Sequence, residues 1–137
     1  MKRILLIESA AIFKATLEPF EGVEILCISI QDIQNIADYN DLLMIFSLSC
    51  RYDLKLKEEI ELIKRGADKS QNISFIVLTR EYCNVLNEIN AIERVQIIVG
   101  AIGPERLISV VTEMLKGEEK TYPIIMGNTL GINDVPC

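Results

Sequence analysis

Glu8 and Ser9 close the first apolar run, Arg3-Ile4-Leu5-Leu6-Ile7, and are the first residues of the chain placed to do chemistry. Two adjacent carboxylates at the mouth of a parallel sheet would bind Mg2+ through hard oxygen ligands. One glutamate followed by a serine supplies half that charge, at a different reach. Later runs end on Phe46 and Ser47, on Thr79, and just before Gly100. Ser47 and Thr79 offer hydroxyls, and none of the four is a carboxylate. A serine nucleophile needs a nearby base, and the chain has no histidine. Glu8-Ser9-Ala10-Ala11 is also a poor anion cradle, because the glutamate opposes phosphate. The positions for chemistry exist, and their side chains look emptied of it.

Five apolar runs must position these residues: Arg3 to Ile7, Val23 to Ser29, Asp41 to Ser47, Ile73 to Thr79 and Val95 to Val99. Most are continuously apolar, as strands covered on both faces should be. Helical spacing separates them. Phe13, Leu17 and Phe20 mark a first helix, with Ser9 placed to cap it. Ile33 and Ala37 mark a second. Leu56, Ile60 and Ile63 mark a third, which Gly66 would terminate. Val85, Leu86 and Ile89 mark a fourth. Leu107, Val111 and Met114 mark a fifth, opened by Gly103-Pro104 with proline at the first helical position and closed by Gly117. This alternation predicts an α/β fold: a five-stranded, doubly wound parallel sheet of flavodoxin-like order 2-1-3-4-5. Any site then lies beyond the carboxyl ends of the strands, at Glu8, Ser9, Phe46, Ser47, Thr79 and Gly100. Residues 1-117 form the domain. Residues 118-137 read as a linker or a C-terminal extension packed on it.

With 137 residues, half of them hydrophobic, the chain has enough material for one domain with a real core. Its formal net charge of -6 argues against direct nucleic-acid binding. The basic residues Arg51, Lys55, Lys57, Lys64 and Arg65 alternate with Glu58, Glu59 and Glu61, so they read as a solvated helix face. Cys27, Cys50, Cys83 and Cys137 lack the paired spacing of a zinc site, so no metal or other cofactor is expected. Cys27, inside an apolar run, reads as a small core residue. No run has the length of a membrane span or a signal peptide, and a reducing cytoplasm is the natural home.

Four pieces in this order resemble the receiver domain of two-component response regulators. Lys2 to Ile7 is similar to the family's first strand, and Asn40 to Ile45 to the lead-in of its third. Ile76-Val77-Leu78-Thr79 is similar to its fourth, which ends in a switch threonine or serine. Ile97-Ile98-Val99 with Gly103-Pro104-Glu105-Arg106-Leu107 is similar to its fifth strand and helix. The resemblance covers roughly residues 1 to 117. It implies phosphoryl transfer from a histidine kinase to an aspartate, with a metal, a hydroxyl and a lysine. Carried onto this chain, the acidic pair falls on Glu8 and Ser9. The phosphoacceptor falls on Phe46, or on Ser47 one residue later, and the lysine on Gly100. Only Thr79 matches in kind. Phe46 is expected to fill the space of the missing site. Pro123 to Val135 also resembles the start of the AAA+ domain of bacterial enhancer-binding transcription activators. No G-x-x-x-x-G-K loop accompanies it.

The expectation is therefore a degenerate receiver that acts without phosphorylation as a protein-interaction or dimerisation module in transcription regulation, and not as an enzyme. Its partner would be another protein, a second copy or a downstream effector domain. In the family, helix four, strand five and helix five often carry such contacts. Val85, Ile89, Ile108 and Leu115 are the candidate interface here, with Val110 adding apolar surface. The alternatives are an atypical phosphate- or metal-responsive receiver using Glu8, Ser47 and Thr79, and a flavodoxin-like binder of a small molecule.

Overall fold

Leu43 to Phe46 and Phe75 to Leu78 are apolar without interruption, and such runs persist only where both faces of a sheet are covered. The computed structural model bears this out. It describes residues 2–29, 42–48, 54–69, 73–116 and 124–126. Its strands are β1 (Lys2–Ile7), β2 (Val23–Ile28), β3 (Leu42–Leu48), β4 (Ile73–Thr79), β5 (Val95–Val99) and β6 (Ile124–Met126). They form one sheet in the order β2-β1-β3-β4-β5-β6, and every pairing is parallel.

Side-chain alternation divides the core into two layers. On one face Leu5, Ile7, Met44, Phe46, Phe75, Val77 and Ile97 pack against Leu56, Ile60 and Ile63 of α2 (Leu54–Lys69) and Leu86 of a 3-10 helix (Asn84–Glu88). On the other, Ile4, Leu6, Ile45, Ile76 and Ile98 pack against Leu17 of α1 (Lys14–Leu17) and Leu107, Val111 and Met114 of α3 (Pro104–Leu115). Helical elements thus cover both faces. Gly103 is the N-cap of α3 in extended conformation, and Pro104 follows in the first turn, where its missing N–H costs nothing. Glu105 in that turn complements the helix dipole.

Several expectations need correction. The sheet has six strands rather than five, because Ile124–Met126 of the C-terminal stretch pairs with β5. No long helix opens after β1. Glu8 takes a left-handed backbone (φ 49), and a 3-10 helix over Glu8–Phe13 precedes the four-residue α1. Ser9 lies inside that 3-10 helix. The N-cap position is Ile7, with no side-chain cap bond. Gly66 does not end the third helix: α2 runs past it to Lys69. Gly66 is buried, so packing outweighs the roughly 1 kcal/mol that an interior glycine costs. The fourth helix is the short 3-10 helix Asn84–Glu88. The second helix, at Ile33 and Ala37, lies outside the described residues, as do Arg51 and Gly117. Cys27 is exposed and free rather than a core residue. Glu59 is buried rather than part of the solvated face formed by the exposed Lys57, Glu58, Glu61 and Arg65.

Lys64 ties α2 to the second 3-10 helix. Its Nζ lies 2.9 Å from Oε1 of Glu88 and 3.5 Å from Oε1 of Glu61. The hydrogen bond to Glu88, with the charge of both carboxylates, raises the Lys64 pKa. A raised folded-state pKa adds stability that is complete below a lysine's ordinary pKa and is lost as pH rises through the folded one. Lys64→Met therefore gives a small destabilisation, constant through neutral pH. It closes on the parent curve only in strongly alkaline solution, as read by urea midpoints across a pH series.

Candidate functional site at the carboxyl ends of the strands

The residues singled out by sequence come from four strand ends, and parallel pairing brings those ends to one edge of the sheet. The register aligns Ile7 with Phe46, Phe46 with Val77, Ser47 with Leu78, Leu48 with Thr79, and Thr79 with Val99. Glu8 follows β1 directly and is half-buried, while Ser9 is exposed. Gly100 follows β5 directly. The predicted positions therefore share one end of the sheet, and strand parity decides which face each strand-end side chain takes.

Phe46 is the main departure. It was expected to fill a vacated site at the mouth. It is instead fully buried in the layer beneath α2, with its ring 6.4 Å from that of Phe75 at a 33° tilt. The reason is strand parity: Phe46 shares a face with Met44 and Leu48, which point into that layer. Ser47 takes the opposite face, the one that Leu78 shares with α3. Thr79, in register with Leu48, lies on the α2 face. Ser47 and Thr79 thus project to opposite sides of the sheet, although their strands are neighbours.

Thr79 and Gly100 are built into the ends of their strands. Thr79 is 4% exposed, and its hydroxyl donates to the carbonyl of Glu81 at 2.8 Å. The Gly100 N–H donates to the Thr79 carbonyl at 2.9 Å. Gly100 has φ 95, a conformation that L side chains rarely adopt, so glycine is the residue its backbone asks for. A lysine at that position would be strained whatever its charge could do. Beyond Thr79, the Tyr82 hydroxyl donates to Oδ1 of Asn87 and accepts from Nδ2 of Asn90 at 3.0 Å. This fixes the loop onto the second 3-10 helix. Arg80 and Glu81 stand exposed beside Thr79. Sequence reading passed over both, although charged residues directly after a strand end are a visible signal of a loop at the mouth.

Among the described residues no group of three histidine, cysteine, aspartate or glutamate side chains is placed to hold a metal ion. Cys83, in the loop after β4, is disulfide-bonded. Disulfides are rare in reducing compartments, so this bond runs against the compartment expected from sequence. No helix among the described residues is long and apolar enough to cross a membrane.

The candidate interface divides in two. Ile89 is fully buried and Val110 nearly so, because both belong to the core. Neither can meet a partner. Val85, Ile108 and Leu115 are half-buried. Ile124 and Ile125 of β6, which sequence reading left in an irregular tail, complete the core along the outer edge of β5. The signal for them was a short apolar run after Pro123. Comparison with family models, with curated proteins and with solved structures finds no match.

Proposed function

We propose that this chain is a receiver-like signalling domain of flavodoxin-like architecture that has lost the phosphorylation chemistry. It serves as a phosphorylation-independent protein-interaction or dimerisation module in regulation of the two-component type. The observation that carries the reading is the composition and geometry of the sheet's carboxyl edge. A phosphoryl acceptor needs a carboxylate, a metal and a neutralising cation converging on one point. Here Phe46 faces the core, Ser47 and Thr79 take opposite faces, and Gly100 sits where a lysine would be strained. The strand order supports the architecture, and the order of the four sequence pieces supports the family.

The partner in this reading is another protein or a second copy, reached through the half-buried apolar residues Val85, Ile108 and Leu115. Regulatory domains of this kind work in the cytoplasm, and the Cys83 disulfide is the observation that weighs against that location. The reading is tested by incubating the chain with acetyl phosphate and Mg2+ and measuring intact mass. An unchanged mass is expected. A phosphoryl adduct that hydroxylamine removes would mean an acyl phosphate, and would end the proposal.

A further inference from the structure

We draw no further inference here: the strongest candidate, the disulfide at half-buried Cys83 in the loop between β4 and the second 3-10 helix, carries nothing, because nothing among the described residues shows which cysteine it joins and the bond by itself points to neither a ligand nor a partner.

Discussion

Phe46→Ala lowers the free energy of unfolding by about 3–5 kcal/mol, the range for deleting a fully buried aromatic ring. The loss has two sources. The ring gives up its burial beneath α2, where it is wholly excluded from solvent. It also gives up the tilted contact with Phe75, a geometry worth about 0.5–1.5 kcal/mol beyond burial. Urea titration followed by circular dichroism reads the effect as a lower midpoint with an unchanged slope. A cost below about 1 kcal/mol, the range of surface substitutions, would mean that Phe46 faces the strand mouth and not the core. Phe46→Asp sharpens the point. It installs the carboxylate that phosphoryl transfer requires, but places it within an apolar layer, where an unpaired charge is expensive. That variant is expected to unfold rather than to gain a phosphorylation site.

Gly100→Lys is the second large effect. Lysine would place, at the end of β5, the cation that the proposed receiver reading calls for. The backbone there has φ 95, and a side chain in left-handed space costs roughly 1–2 kcal/mol. The Gly100 N–H also donates to the Thr79 carbonyl, so relaxing the strain would pull on the link between β4 and β5. The contrast is Gly103, where φ is -76 and a Cβ meets nothing within 4 Å. Gly103→Ser, at a helix N-cap, is expected to be neutral or slightly stabilising. If both substitutions cost the same by urea midpoint, the conformation assigned to Gly100 is wrong.

These two residues show what the sequence could and could not disclose. The strands were legible because their apolar runs are long and continuous: β4 and β5 begin and end where pattern reading puts them. The α3 start was legible because Gly103-Pro104 has a physical meaning at a helix terminus. The short elements were not. Val85, Leu86 and Ile89 have helical spacing, but the span between β4 and β5 folds as a 3-10 helix, with Leu86 and Ile89 drawn into the core. Ser9 has the chemistry of a cap, yet the left-handed turn at Glu8 places it inside a 3-10 helix. β6 escaped notice because three apolar residues carry no period. Their strand state comes from the edge of β5, which lies far away in sequence.

The site was legible as a set of positions and not as a geometry. The departures from a receiver's carboxylates and lysine came from the resemblance, by setting its expected residue types against Glu8, Ser9, Phe46, Ser47 and Gly100. The direction of each side chain depended on parity within a strand, and one residue of shift reverses it. Phe46 and Ser47 are adjacent in sequence and serve opposite faces of the sheet. That single alternation turns an expected plug at the mouth into a core residue.

The central claim is that the carboxyl edge of the sheet binds neither Mg2+ nor a phosphoryl group. An amide NMR titration of the full chain with Mg2+, followed by beryllofluoride, tests it most directly. The account predicts that the amides of Glu8, Ser47, Thr79 and Gly100 stay in place throughout both additions. Saturable shifts gathered at those residues would contradict it, and would establish a working phosphate site built from unconventional groups.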